Sequence, residues 1–124
     1  MSHKKCARDF GVVLFLIGLL GFIPLLTIDS YFLGVFKVNV YTNTLHLVTG
    51  LLGYLLSRTN LRACKLYFQI FGFIYGFIAV LGFGYGDADI LGYIANNMPD
   101  TWLHLIICFL TFYLGFLYKN SRKR

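Results

Sequence analysis

The chain carries one pattern of residues twice, and this duplication restricts the folds that it can adopt. Phe-Gly at 10–11 and Leu-Gly-Phe at 20–22 recur 61 residues later, at 71–72 and 81–83. Leu-Gly at 33–34, Asn39 and Leu-His-Leu at 45–47 recur 58 residues later, at 91–92, Asn97 and 103–105. Each copy therefore holds a long apolar segment, a short loop and a second apolar segment, which predicts two copies of one two-helix unit.

The four apolar segments are each close to the length that crosses a membrane as a helix. A helix that rises about 1.5 Å per residue needs about 20 residues to cross roughly 30 Å of hydrocarbon. The segments are 10–28, about 40–56, 66–86 and about 101–118. Only 13% of the residues are charged and 58% are hydrophobic, whereas about a quarter of a typical soluble domain is charged.

These features predict an all-α fold, an integral membrane four-helix bundle built from two parallel two-helix repeats. The repeats are expected at about 10–57 and about 66–118, within a single membrane domain that covers residues 1–124. Each repeat contains two spans and returns the chain to its starting side, which makes the repeats parallel.

The basic residues lie almost entirely on one side of the four segments. Lys37 is the only one of the eleven Lys and Arg residues in the loops of the opposite side. The positive-inside rule makes the basic side cytoplasmic. We therefore expect a multi-pass protein of the cell membrane, typical of a bacterial inner membrane, with both termini cytoplasmic. The ten other basic residues are Lys4, Lys5, Arg8, Arg58, Arg62, Lys65, Lys119, Arg122, Lys123 and Arg124.

Two histidines form the most specific candidate site in the sequence. His46 and His104 lie at equivalent positions, about one turn inside the second and fourth segments. Helical spacing places each of them on the least lipophilic face of its helix, so both rings should face the bundle interior at equal depth. The residues on these faces are Thr49, Gly50, Gly53 and Ser57 beside His46, and Cys108, Thr111 and Gly115 beside His104.

Three roles remain open for this histidine pair. In the favoured, structural role each ring hydrogen-bonds a loop carbonyl, Asn39 or Asn97, while Asn43 and Asp100 serve as N-caps. In the second role the two imidazoles are the axial ligands of a b-type haem. The third role is a metal site that adds Cys108, but a four-coordinate site would need another good ligand. We therefore expect no cofactor and no metal, with haem b as the alternative.

The duplicated pattern resembles the bacterial four-span membrane family catalogued as domain of unknown function 4383. The resemblance runs from about residue 10 to 117 and implies a four-span fold in a membrane, with no established activity to transfer. Matching residues in the first half are Val38-Asn39, Asn43, Leu45-His46 and Gly50, and those in the second half are Asn97, Asp100 and Trp102-Leu103-His104.

Other classes of function fit the sequence poorly. An enzyme is not expected, because no nucleophile and base converge near the histidines. A small transporter subunit would want a carboxylate within the membrane, and none of the five Asp residues falls inside a predicted span. The scattered bases do not suggest nucleic acid. We expect a structural, partner-binding or accessory membrane protein that contacts the lipid bilayer and acts as a homo-oligomer or in a larger complex.

Overall fold

The computed structural model describes residues 2–119, and these form a mostly helical protein with four helices. Arg122, Lys123 and Arg124, which the sequence predicts on the cytoplasmic side, lie outside the described residues. The helices are α1 (His3–Leu20), α2 (Val40–Ser57), α3 (Leu61–Tyr85) and α4 (Met98–Phe112), and α4 continues as a π-helical turn (Tyr113–Leu117). Three two-residue strands, β1 (Thr27–Ile28), β2 (Tyr31–Phe32) and β3 (Phe36–Lys37), lie between α1 and α2.

Two of the four helices are long and apolar enough to cross a membrane. They are Leu61–Tyr85 and Met98–Leu117, where the second includes the π-helical turn. Helix α1 carries four charged residues in its first half, and α2 carries Asn43 and His46 among its apolar residues. This polarity is why length and composition alone indicate a membrane-spanning character for α3 and α4 but not for the other two.

The first predicted segment, 10–28, is wrong at both of its ends. Helix α1 begins at His3, where the Ser2 side chain accepts a hydrogen bond from the Lys5 N–H, and it ends at Leu20. Pro24 follows closely, and because proline has no N–H and clashes with the preceding turn, the apolar residues after Gly21 form turns. The starts of α3 and α4 also precede the predicted segments, by a few residues each.

Small residues bring the helices together in two antiparallel pairs. Gly11 of α1 lies against the backbone of Gly50 in α2, so that a Cβ on Gly11 would stand 2.6 Å from the Gly50 carbonyl oxygen. In the second pair, Gly72 of α3 faces Thr111 of α4, and Gly76 faces Cys108. These glycines therefore serve packing within one chain. Close backbone approach at small residues provides van der Waals packing between helices.

The Leu-Gly segments of the two loops at one end of the helices form turns of the same kind. In the first, the central residues Leu33 and Gly34 have φ of 55° and 73°, and Phe32 pairs with Phe36 in an antiparallel ladder. In the second, the central residues 91 and 92 have φ of 54° and 79°, and Ile90 pairs with Ile94. Positive φ at both central positions is typical of type I′ hairpin turns. The small β1–β2–β3 sheet that results is an addition to the predicted all-α fold.

The opposite end of the helices holds both ends of the described chain. The His3 ring lies 2.9 Å from the carbonyl oxygen of Leu114, and its centroid is 5.1 Å from that of Tyr118. The short connection between α2 and α3 lies at the same end, because α1 and α2 are antiparallel. We call this the basic end, since Lys4, Arg58 and their basic neighbours lie there, and we call the other the hairpin end.

Candidate functional site

Asparagine side chains fix the starts of both helices at the hairpin end. The Asn39 side chain accepts a hydrogen bond from the Thr42 N–H at 2.9 Å and caps α2. The Asn97 side chain accepts from the Asp100 N–H at 3.0 Å and caps α4. The N-caps predicted at Asn43 and Asp100 are therefore wrong. Both residues lie inside the first turn, where their backbones are already helical.

The same two asparagines join the hairpin loops to each other. The Asn39 amide nitrogen donates to the Tyr93 carbonyl at 2.7 Å, and the Asn97 amide nitrogen donates to the Val35 carbonyl at 3.0 Å. Tyr93 and Val35 hold equivalent places directly after the central residues of their turns. The side-chain oxygen of each asparagine thus accepts a hydrogen bond from its own helix, and the side-chain nitrogen donates one to the other loop. The two loops therefore form one linked unit.

Further polar contacts strengthen this linked unit, which we call the loop cap (residues 27–39 and 87–97). The Lys37 ammonium lies 2.8 Å from an Asp89 carboxylate oxygen and donates to the Asp87 carbonyl at 3.3 Å. The hydrogen bond to Asp89 raises the pKa of Lys37 above its usual value of 10.5. The Ala95 N–H donates to the Thr42 hydroxyl at 3.0 Å. The loop cap is therefore held by hydrogen bonds and one ion pair that all cross between the two halves of the chain.

His46 and His104 lie beneath the loop cap, in contact with each other. Both side chains are buried, which confirms the prediction that they face inward. Their ring centroids are 5.8 Å apart with the planes tilted by 56°. Tyr75 of α3 completes the cluster: its ring stacks on His46 at 6.4 Å and lies 5.6 Å from His104. The Tyr75 hydroxyl donates to the Thr49 hydroxyl at 3.0 Å.

The rings do not form the loop-pinning hydrogen bonds that the sequence suggested. Among the described residues, no donor or acceptor pairs with either ring nitrogen of His46 or of His104. The reason lies in the asparagines, whose amides already satisfy the loop carbonyls that the rings were expected to reach. Two more buried oxygens nearby, Oδ1 of Asn43 and Oδ2 of Asp100, are likewise unpaired. Buried polar groups of this kind are rare in folded proteins.

A small cavity opens beside His46. Its volume is about 110 Å³, and Asn43, His46 and Asp100 share its wall with apolar side chains of the loop cap and of α1. Sites for drug-sized ligands are about 300–1,000 Å³, so this space does not fit a porphyrin, and the haem interpretation of the pair is not supported by the geometry. No group of three or more His, Cys, Asp or Glu side chains in residues 2–119 is arranged to hold a metal ion. Cys108 packs instead with Leu14, Tyr75 and Ile107.

Sequence reasoning missed the tyrosines of this cluster. Tyr67 is buried, and its hydroxyl donates to the Thr49 carbonyl at 2.6 Å. Tyr75 was not singled out at all. The signal was present, because Tyr75 follows Gly72 by three residues and precedes Gly82 by seven, and Tyr67 precedes Tyr75 by eight, which places both tyrosines on the buried face of α3.

The loop cap also presents apolar side chains on its outer surface. Leu33 and Leu91 each stand at the first central position of a hairpin turn, and they are 60% and 65% exposed. A positive φ is unfavourable for leucine, and Asn or Gly is the usual residue at that position. Leu33 and Leu91 therefore each have a strained backbone conformation at the tip of a turn.

Together, the fold and the site define a helical protein of membrane-spanning character with a buried histidine–tyrosine cluster and no identified chemistry. The model of the family described as Domain of unknown function (DUF4383) matches residues 4–117, and the chain belongs to that family. No curated protein and no solved structure matches the chain.

Proposed function

We propose that the chain is a four-span protein of the bacterial inner membrane with both termini in the cytoplasm. Helices α1 and α2 are the additional spans in this proposal. Support comes from their exposed apolar side chains, including Val13, Leu16, Val48 and Leu55, and from the close glycine contact that joins them. The basic end would face the cytoplasm, in accord with the positive-inside rule, and the loop cap would face outward.

We further propose that the four helices form a bundle of two parallel repeats. The paired turns at 32–35 and 90–93 and the equivalent caps at Asn39 and Asn97 support this proposal. The reciprocal hydrogen bonds of the two asparagines support a pseudo-twofold relation, because each bond in one half has its counterpart in the other. The repeats would cover about 10–57 and about 66–118, somewhat shorter than the helices at their starts.

The function that we propose is a non-enzymatic, accessory one, in which the loop cap binds the outer part of a membrane partner. The observation that carries this proposal is the pair of strained, exposed leucines at the two hairpin tips. Backbone strain that survives at equivalent exposed positions points to a use for the side chain. Because the hydrogen bonds of Asn39 and Asn97 link the two loops, the two tips are held in a fixed arrangement.

Photo-crosslinking in intact cells tests this role. A photoreactive amino acid at position 33 or 91 should give an adduct of the same mass with one protein. The matched position is Leu61, an exposed leucine at the basic end, which should not give that adduct. An adduct with the mass of a dimer identifies a second copy of the chain as the partner.

Two results would contradict the docking role of the loop cap. One is crosslinking of positions 33 and 91 to lipid alone, which assigns the leucines to the membrane interface. The other is an identical set of protein adducts from position 61, which shows that crosslinking follows exposure rather than a docking surface.

A second candidate function rests on the unpaired ring nitrogens of His46 and His104. Two imidazoles with centroids 5.8 Å apart are close enough to ligate one metal ion between them, at roughly 2.0–2.1 Å from each nitrogen. Direct metal analysis of the purified protein, with zinc or copper titrated by calorimetry, tests this candidate. His46→Phe keeps the ring volume and removes the nitrogens, so it should abolish stoichiometric binding. Failure of the wild type to bind either ion eliminates the candidate.

A further inference from the structure

A basic cavity lies at the cytoplasmic end of the α1–α2 pair in the proposed orientation. Its volume is about 470 Å³, within the usual range for small-molecule sites. Four bases contribute to its wall: Lys4, Lys5, Arg8 and Arg58. Ser2, Tyr54 and Ser57 complete the lining, and the Ser57 hydroxyl donates to the Tyr54 carbonyl, so the four bases are the groups that can contact a ligand.

Most of this positive charge is not neutralised within the protein. Arg8 pairs with Asp9 at 3.0 Å, and both side chains are about half exposed, where such pairs are weak. Lys4, Lys5 and Arg58 form no ion pair with any described residue. The first turn of α1 also contains no acidic residue, and the helix dipole adds a partial positive charge there. The cavity therefore attracts an anion.

An apolar groove continues from the basic cavity along the seam between α1 and α2. Its volume is about 180 Å³, and it is lined by Gly11, Val12, Phe15, Leu51 and other apolar groups. Tyr54 lines both the groove and the basic cavity, so it marks the point where the two meet. Gly11 and Gly50, whose backbones are in close contact across the seam, also line the groove.

We propose that the cavity and the groove together bind one anionic phospholipid of the cytoplasmic leaflet. The phosphodiester headgroup would lie among Lys4, Lys5 and Arg58, and the first part of an acyl chain would lie in the groove beside Val12 and Leu51. Basic pockets between membrane helices on the cytoplasmic side are known to recognise such headgroups. This order of charge and apolar surface matches a lipid in a bilayer, with its headgroup at the surface and its chain deeper.

The inference rests on the proposed membrane placement, but its test does not depend on topology or on an outer partner. Protein purified in a zwitterionic detergent is mixed with phosphatidylglycerol and phosphatidylcholine of identical chains, and bound lipid is counted by native mass spectrometry. We expect one phosphatidylglycerol per chain and little phosphatidylcholine. Failure of this experiment would leave the accessibility and crosslinking results standing.

Two double variants distinguish binding at the basic cavity from a general attraction of the lipid to positive charge. Lys5→Gln combined with Arg58→Gln should lower the affinity for phosphatidylglycerol about tenfold. Arg62→Gln combined with Lys65→Gln removes the same charge from a neighbouring depression with only two bases, and should change it less than about twofold. Equal losses in the two double variants would overturn the proposal. All four residues are exposed, and unchanged melting temperatures would show that both variants fold.

A third variant and a soluble competitor test the groove. Val12→Trp should fill the groove and weaken the binding of phosphatidylglycerol, while leaving the weak binding of glycerol phosphate unchanged. Inorganic phosphate should compete poorly with the lipid. If phosphate displaces phosphatidylglycerol at comparable concentrations, or if Val12→Trp has no effect, the site is an anion site without lipid recognition and the proposal is wrong.

Discussion

Asn39 and Asn97 form equivalent pairs of hydrogen bonds in the two halves of the chain. Each side-chain oxygen caps the helix that follows it, and each amide nitrogen donates to a carbonyl in the other residue's loop. A single residue type at one position of the repeat therefore ends a loop, begins a helix and joins the two halves.

Substitution of either asparagine by alanine should lower the free energy of unfolding by more than the loss of an ordinary N-cap does. Asn39→Ala and Asn97→Ala each lose a cap, at about 0.5–2 kcal/mol, and a cross-loop hydrogen bond, at about 0.5–1.5 kcal/mol. We expect about 2 kcal/mol for each in unfolding titrations in detergent. Asn60→Ala is the matched control, because Asn60 caps α3 without any cross-loop bond, and should cost about 1 kcal/mol. Equal costs in all three variants would show that the cross-loop bonds contribute nothing.

Replacement of either hairpin-tip leucine, Leu33 or Leu91, by asparagine should raise the free energy of unfolding. Leu33→Asn and Leu91→Asn place a residue suited to positive φ in each turn, and each should stabilise the fold by about 1 kcal/mol. Thermal unfolding measures the gain. Leu33→Asn should also abolish the adduct formed from a photoreactive amino acid at position 91, and Leu91→Asn the adduct formed from position 33. A loss of stability would mean that the leucines pack in the fold, and retention of the partner would remove them from the docking surface.

The histidine variants should not be additive. We expect His46→Ala or His104→Ala to lower the free energy of unfolding by about 2–3 kcal/mol through the void each leaves beside Tyr75. Because the rings touch each other, the second substitution should cost less once the first is made. A double-mutant cycle with an interaction energy near zero would contradict the direct contact.

The seam between α1 and α2 should not tolerate a single added methyl group. A Cβ at Gly11 would lie 2.6 Å from two backbone atoms, the Gly50 oxygen and the Tyr54 nitrogen. We therefore expect Gly11→Ala to destabilise the protein by about 1–3 kcal/mol. Gly84→Ala is the control, since nothing lies within 4 Å of its added Cβ, and it should be neutral or stabilising by up to about 1 kcal/mol. Similar melting temperatures for the two variants would rule out the close seam.

The Lys37–Asp89 pair should make a small, pH-dependent contribution. The pair raises the pKa of Lys37, so its stabilisation is present below the usual value of 10.5 and is lost as the pH rises through the higher folded value. Both side chains are partly exposed, which limits the gain to at most about 1 kcal/mol. Melting temperatures of the wild type and Lys37→Gln should therefore differ at pH 8 and converge once the pH exceeds the raised pKa of Lys37. A constant difference across this range would exclude the ion pair as its cause.

The sequence predicted the helices better than their ends. Hydropathy located α2, α3 and α4 to within a few residues. In these three helices the apolar run ends close to where the polar loop begins. It misplaced the end of α1, since the residues after Gly21 are as apolar as the helix and only Pro24 marks the change. The strands were not predicted because each has two residues, too few for an alternating pattern to appear.

The candidate site was predicted in part. Helical spacing was sufficient to place His46 and His104 on the interior faces. Their mutual contact and the role of Tyr75 depend on how α2, α3 and α4 cross, which spacing within one helix does not specify. The cap positions were wrong because several polar residues compete at each helix start, and backbone conformation decides which of them is the N-cap.

The most direct test of the account is the accessibility of single cysteines in intact cells. In a background in which Cys6, Cys64 and Cys108 are replaced, we would introduce Asp29→Cys, Ala88→Cys or Thr59→Cys, all at exposed positions. A membrane-impermeant maleimide should label positions 29 and 88 in intact cells, and position 59 only after the membrane is permeabilised. Labelling of position 59 from outside, or protection of either loop position, would contradict the four-span arrangement with a cytoplasmic basic end.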